Sequence, residues 1–125
     1  MNRATNRNLS EEIQKYIISG DLYKLKHNFT RDQNRLIFNE ANLKLAITYY
    51  KNTVVKWLIT GNIGVTLSLI KTAIKFDNQY AIKELYNKYK YTNGPELYLD
   101  IKNEGFEYAI KMGNLQAIQY FVDEG

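Results

Sequence analysis

Residues 109–125, AIKMGNLQAIQYFVDEG, carry the clearest structural pattern of the chain. After a Gly-Asn break, apolar side chains recur at the spacing of a half-buried helix. They are Leu115, Ala117, Ile118, Phe121 and Val122. Glycines stand at 113 and 125, where helices are expected to stop, because the position just past a helix end often has a positive φ. The stretch therefore predicts a helix, a tight turn and a second helix.

The same pattern recurs three times upstream. When Tyr16, Ala46 and Ala73 are aligned with Ala109, the apolar residues of the second helix fall at matching offsets. The four starts are spaced by 30, 27 and 36 residues. Such spacing is typical of a stacked repeat array, since one helix pair cannot bury its apolar face alone.

At these residues the pattern resembles ankyrin repeats, whose second half reads alanine, three residues, Gly-His, then two aliphatic pairs and a closing glycine. The copies depart from the family elsewhere. None has the Thr-Pro-Leu-His start or the Gly-Ala-Asp end, and only the first and last keep the inner-turn glycine, at Gly20 and Gly113. The resemblance covers about residues 10 to 125. It implies an all-α solenoid of stacked helix-turn-helix repeats with β-hairpin fingers that are short or absent.

The predicted organisation is a flexible segment over 1–9 and one repeat domain over 10–125. Ser10, followed by two glutamates, favours a helix start there. We expect four helix pairs, over approximately 10–29, 40–61, 65–89 and 95–125. Pro95 suits the first position of a helix, and that helix is expected to run through Gly105 into the last pair. The last pair lacks a polar outer repeat, so we expect a fragment of a longer array or an end that self-associates or meets another chain.

Trp57 is expected to cover the seam between neighbouring pairs, because large side chains commonly bury an apolar body at such places. The apolar run 36–38 is expected to lodge near the first boundary between pairs.

No catalytic, cofactor-binding or metal site is predicted. The chain has no cysteine and a single histidine, His27, which has no acidic pair nearby in sequence. A Gly-rich phosphate loop is also missing. Asp100, Glu104 and Glu107 share one helical face if the helix continues through Gly105, and we interpret that face as solvated. The sequence therefore predicts a protein that is not an enzyme.

The expected location is intracellular and cytoplasmic, without membrane contact. No apolar run approaches the roughly 20 residues needed to cross a bilayer, and the first ten residues are polar. The net charge is +4, with twelve basic against five acidic residues in 1–75 and five against eight in 76–125. This asymmetry either orients a partner or reflects solvated helix faces.

The ankyrin resemblance also implies a binding face. In ankyrin-like repeats the positions two, three and five after the alanine tend to point into a concave surface. Here they are Thr48, Tyr49, Lys51, Lys75, Phe76, Asn78, Lys111, Met112 and Asn114. Each repeat thus presents a basic or polar residue beside an aromatic residue or methionine, a mixture seen at protein contact surfaces. The alternative, in which Tyr49, Phe76 and Met112 fill seams between repeats, stays open.

The predicted function is a non-enzymatic adaptor that holds another protein. Divergent arrays with this Asn/Lys/Ile/Tyr-rich composition are similar to ankyrin-type proteins of large eukaryotic DNA viruses. That resemblance implies a protein in the host cytoplasm that binds and inhibits a host defence or signalling protein.

The alternative function is single-stranded nucleic-acid binding through the segment 86–91. Three tyrosines, Tyr86, Tyr89 and Tyr91, alternate there with Lys88 and Lys90, and together they offer stacking rings and phosphate partners. Against this alternative, the repeat core also claims Tyr86, and the excess of positive charge is modest.

Overall fold

The computed structural model describes residues 3–124, which are all-α as the sequence predicted. These residues form eight α-helices and one 3-10 helix, and no strand occurs among them. In chain order they are α1 (Arg3–Ser19), α2 (Leu22–His27), the 3-10 helix (Arg31–Gln33), α3 (Asn34–Ile37), α4 (Glu40–Thr48), α5 (Asn52–Ile59), α6 (Leu67–Lys75), α7 (Gln79–Met112) and α8 (Leu115–Asp123). Within this described part of the chain, no helix has the length and apolar character needed to cross a bilayer.

Helix α7 is bent once along its length. Gly94 has φ 82° and ψ 171°, a non-helical conformation that separates a first arm over 79–93 from a second arm over 95–112. Pro95 begins the second arm, where its missing N–H needs no partner. As expected, that arm continues through Gly105 without a break.

One turn geometry joins the two helices of every pair. The N–H groups of Asp21, Lys51, Asn78 and Asn114 donate to the carbonyls of Tyr16, Ala46, Ala73 and Ala109, at 2.8 to 3.0 Å. The residue before each donor has a left-handed φ between 54° and 72°. These residues are Gly20, Tyr50, Asp77 and Gly113. This bond across five residues, closed by a left-handed residue, is the Schellman ending of a helix. The register deduced from sequence is thus repeated in the backbone of all four turns.

The helix pairs are grouped two by two. The chain divides into an N-terminal unit that ends at Ile63 and a C-terminal unit that begins at Gly64. The repeat domain predicted over 10–125 spans this boundary and stays a prediction. The boundary lies in the connector over 61–64, which contains two glycines.

In the N-terminal unit, α1 packs against α2, α3 and α4, and α4 packs against α5. Helix α1 begins at Arg3 rather than at the predicted Ser10, and residues 3–9 contain neither Gly nor Pro to break it. The predicted flexible segment is therefore helical from residue 3, and residues 1 and 2 lie outside the described part. Trp57 covers a seam, as expected. Its ring centroid lies 4.7 Å from that of Phe38, and the Lys26 ammonium of α2 lies 6.0 Å from it.

In the C-terminal unit, α6 packs against α7, and α7 packs against α8. The core between α7 and α8 is aromatic: the Tyr86 centroid lies 5.2 Å from that of Phe121 and 6.1 Å from that of Tyr120. Gly105 is needed here, because a Cβ added to it would overlap the Tyr86 hydroxyl oxygen. Val122, one of the apolar residues predicted for the half-buried helix, is instead 59% exposed, because it lies about 100° around α8 from the buried Phe121.

Candidate functional site

The inner helices of the C-terminal unit, α6 and the second arm of α7, lie side by side with a groove between them. The Lys71 ammonium of α6 is 5.3 Å from the centroid of the Tyr108 ring on α7, so these two side chains bridge the helices. The groove consists of two adjoining depressions of about 350 and 430 Å³ that both include Leu67, Lys71 and Tyr108. We call this surface the inner-helix groove. Its remaining lining residues are Ser68, Thr72, Lys75, Glu104, Glu107 and Lys111.

Charge is distributed unevenly along the inner-helix groove. Lys75 is the last residue of α6, and Lys111 lies in the last turn of α7, where a cation complements the negative end of the helix dipole. Glu104 and Glu107 lie earlier on α7. The groove is therefore basic toward the helix-pair turns and acidic away from them.

Besides the two depressions of the groove, a further depression of about 370 Å³, the turn depression, lies at the turns of the same unit. It brings together three of the predicted contact residues: Lys75, Met112 and Asn114. Met112 is 43% exposed and the neighbouring Leu115 is 78% exposed, so this turn depression has an open apolar wall.

Two of the predicted contact residues use their side chains to cap a helix N-terminus. Asn78 is 1% exposed, and its side-chain oxygen accepts the Ala81 N–H at 3.1 Å. It has almost no surface to offer a partner, because an N-cap side chain turns back onto its own helix. Asn114 caps α8 by accepting the Ala117 N–H at 2.9 Å, and its amide donates to the Ile74 carbonyl at 2.9 Å. Asn114 therefore ties the last turn to α6.

The other predicted residues of the C-terminal unit divide between the groove and partial burial. Lys111 lines the inner-helix groove and is exposed. Phe76 is half-buried, with the Lys75 ammonium 5.5 Å from its ring centroid. This partial burial agrees better with the alternative in which Phe76 fills a seam between repeats than with an open contact residue.

In the N-terminal unit, the predicted contact residues surround the α4–α5 turn. Thr48 donates its hydroxyl to the Lys44 carbonyl at 2.8 Å and is half-buried. The stem of Lys51 lies against Gly20, since its Cδ would be 3.1 Å from a Cβ added there. Tyr49 is 48% exposed, so it has the most open side chain of the three.

Sequence reasoning missed Lys71 and Tyr108, the two residues that bridge the groove. Lys71 lies one helical turn before Lys75, and Tyr108 directly precedes Ala109. The helical period would have placed Lys71 on the same open side of α6 as Lys75. The predicted contact face included only the positions two, three and five after the alanine of each repeat, and neither Lys71 nor Tyr108 is at such a position.

The acidic residues of α7 form no metal site. Among residues 3–124, no group of three His, Cys, Asp or Glu side chains is placed to hold a metal ion. His27 is exposed at the end of α2, where its ring stacks on Tyr23 with centroids 4.2 Å apart.

The Tyr/Lys segment 86–91 does not present three stacking rings. Tyr86 is fully buried and donates its hydroxyl to the Ile101 carbonyl at 3.1 Å, and this burial raises its pKa. Tyr89 is half-buried, whereas Tyr91 is 88% exposed. Lys88 is partly desolvated, which lowers its pKa. Only one open ring therefore remains from the predicted platform.

Comparisons with protein-family models, with curated proteins and with solved structures give no match to this chain.

Proposed function

We propose that this chain is a non-enzymatic protein-binding module, and that its inner-helix groove holds a segment of another protein. The observation that carries this proposal is the groove itself. Lys71, Tyr108 and Lys111 line an open channel between two helices, and none of them belongs to the buried core. Tyrosine is enriched at protein contact surfaces, and polar or charged residues form the rim around such an anchor.

The ankyrin-like solenoid is part of the same proposal. Two observations support it: all four turns share the Schellman geometry, and inner helices pack directly together within each unit. In the N-terminal unit these are α1 and α4. In the C-terminal unit they are α6 and the second arm of α7, where the Lys71 ammonium lies 5.3 Å from the centroid of the Tyr108 ring. Repeat arrays are built from such layers.

The groove chemistry favours an acidic segment near the turns. Lys71, Lys75 and Lys111 supply cations at one end, and Tyr108 supplies a ring face that an apolar side chain can contact. Exposed charge pairs contribute mainly to association rate and specificity, whereas the tyrosine supplies contact area. A cytoplasmic location, self-association through the last helix pair and a host-directed role stay predictions.

The test starts from peptides displayed on phage and selected on the intact, immobilised chain. Enriched peptides are titrated by fluorescence anisotropy against the native chain and against Lys71→Ala/Tyr108→Ala. We expect the double variant to bind at least about tenfold more weakly and to melt at nearly the same temperature, because both side chains are outside the core. Lys83→Ala, an exposed lysine on the first arm of α7, is the matched control. If no peptide is enriched, or if the double variant binds as well as the native chain, the proposal is wrong.

The nucleic-acid alternative is tested with the same samples. Random single-stranded RNA and DNA are titrated at low and moderate salt, since phosphate binding weakens steeply as salt rises. The burial of Tyr86 removes one stacking ring, so we expect weak binding that Tyr91→Ala changes little. Tight, salt-sensitive binding would instead favour the alternative.

A further inference from the structure

One residue of the α4–α5 turn has a backbone conformation that is unfavourable for its residue type. The four helix-pair turns each need one left-handed residue, and Gly20 and Gly113 adopt that conformation without a Cβ. Asp77, at φ 54°, belongs to a residue type that tolerates it, and its carboxylate accepts a hydrogen bond from Gln79 at 2.6 Å. Tyr50, at φ 57°, has neither advantage. Its Cβ lies close to the following carbonyl oxygen in this conformation, and bulky residues rarely adopt it.

Burial does not explain this tyrosine. Tyr50 is 53% exposed and the preceding Tyr49 is 48% exposed, so two consecutive tyrosines of the turn are open to solvent. Exposure alone is not informative, since the chain has 11 tyrosines and Tyr91 is exposed on an ordinary helical backbone. What distinguishes Tyr50 is exposure together with a disfavoured φ. Backbone strain of this kind is found preferentially where a side chain has a binding or catalytic task.

We infer that Tyr49 and Tyr50 form a second contact site, the aromatic turn, for an acidic protein segment that carries an apolar side chain. The inference rests on the proposed protein-binding function but uses a different unit from the inner-helix groove. Two adjacent tyrosines give contact area with little loss of side-chain entropy, together with two hydroxyl groups for hydrogen bonds.

The acidic character of the segment follows from Lys51 and from the net positive charge of the N-terminal unit. Lys51 comes directly after the pair, and residues 1–63 contain ten Lys and Arg against five Asp and Glu. Opposite charge on a partner would speed its association with this unit and disfavour basic competitors.

The first readout is stability, measured by thermal unfolding of the intact chain. Tyr50→Gly relieves the strained φ and removes a side chain that is 53% exposed, so it is expected to raise the melting temperature by about 2–5 °C. Tyr50→Asn, which also tolerates the left-handed region, is expected to be at least as stable as the native chain. If both variants melt lower than the native chain, Tyr50 has a structural role and the inference is overturned.

The second readout is binding. Phage-displayed peptides are selected on the Lys71→Ala/Tyr108→Ala chain, in which the inner-helix groove is disabled, and those that also bind the Tyr50→Gly form of that chain are discarded. The remaining peptides are titrated by fluorescence anisotropy. We expect them to be rich in Asp, Glu and apolar residues. They should lose at least about tenfold in affinity with Tyr49→Ala or Tyr50→Asn, and none with Tyr91→Ala.

The outcomes separate this inference from the proposed function. Peptides that need Tyr50 support the aromatic turn, even if no peptide needs Lys71 and Tyr108. If selection on the Lys71→Ala/Tyr108→Ala chain leaves no peptide that needs Tyr50, the aromatic turn is rejected, and the proposed function still stands when peptides selected on the native chain need Lys71 and Tyr108. If the native chain enriches no peptide at all, both are rejected.

Discussion

Replacing Gly105 by alanine tests how the C-terminal unit is packed. Gly105 lies inside the second arm of α7, where alanine alone would favour the helix by about 1 kcal/mol. The structure predicts the opposite result. The new Cβ would overlap the hydroxyl oxygen of Tyr86 and would lie 3.2 Å from Cζ of Phe121. Tyr86 cannot move aside easily, because it is fully buried and its hydroxyl donates to the Ile101 carbonyl.

The size of the effect follows from these contacts. Overpacking a dense core typically destabilises by about 1–3 kcal/mol, and disturbing the Tyr86 hydrogen bond adds about 1 kcal/mol. After the helix-propensity gain, Gly105→Ala should lower the free energy of unfolding by about 1–3 kcal/mol. For a chain of this length, the melting temperature should fall by roughly 3–10 °C.

Urea and thermal unfolding, followed by circular dichroism, measure this effect in a double-mutant cycle. Tyr86→Phe alone should destabilise by about 1 kcal/mol, because it deletes the hydrogen bond. In the Gly105→Ala background the same change removes the clashing oxygen and should recover stability, so the two substitutions couple. Gly64→Ala is the control, since no heavy atom lies within 4 Å of the added Cβ. A Gly105→Ala chain as stable as the native one, or a cycle without coupling, would refute this account of the core.

Three further predictions concern the caps, the buried tyrosines and the turns. Asn114→Ala should lower the free energy of unfolding by about 1–3 kcal/mol, because it removes both the α8 cap and the hydrogen bond to the Ile74 carbonyl. Urea unfolding measures this change, and Asn114→Asp, which keeps the cap acceptor, should lose less stability. Burial raises the pKa of Tyr86 and Tyr120 above the ordinary 10.0, so the stability linked to them is fully present below about pH 10 and is lost as pH rises toward the folded-state pKa values. The free energy of unfolding should therefore fall as pH rises above about 10, and less steeply in Tyr86→Phe; an unchanged slope would contradict the linkage. Asp77→Gly should change the melting temperature less than Tyr50→Gly does, because aspartate already tolerates the left-handed turn; a larger gain at Asp77 would count against the strain argument.

The helix pairs could be predicted from the sequence because their signals are local. Ala46, Ala73 and Ala109 are each fully buried at the same place in their turns, and the apolar spacing after each one is short-range information. The left-handed residue of each turn was predicted only where glycine marks it. At Asp77 the residue type tolerates this conformation but is a weaker signal than glycine, and at Tyr50 the residue type gives no local signal for it.

The candidate site was harder to predict because it depends on which helices become neighbours. The groove needs Lys71 of α6 beside Tyr108 of α7, residues that are far apart in sequence. Asn78 was predicted as a contact because its offset matches the ankyrin-like face. A capping asparagine and a contact asparagine have the same sequence signature, and only the observed bond to the Ala81 N–H distinguishes them.

The most direct test of the repeated turn is nuclear magnetic resonance on the intact chain in solution. A left-handed residue has a short distance between its amide proton and its own Hα, whereas a helical residue does not. We expect strong cross-peaks between the amide proton and the Hα of the same residue, together with non-helical Cα shifts, at Tyr50 and Asp77. Helical values at both positions would show that the four turns are not equivalent, and would remove the structural basis for a repeat protein with a strained aromatic turn.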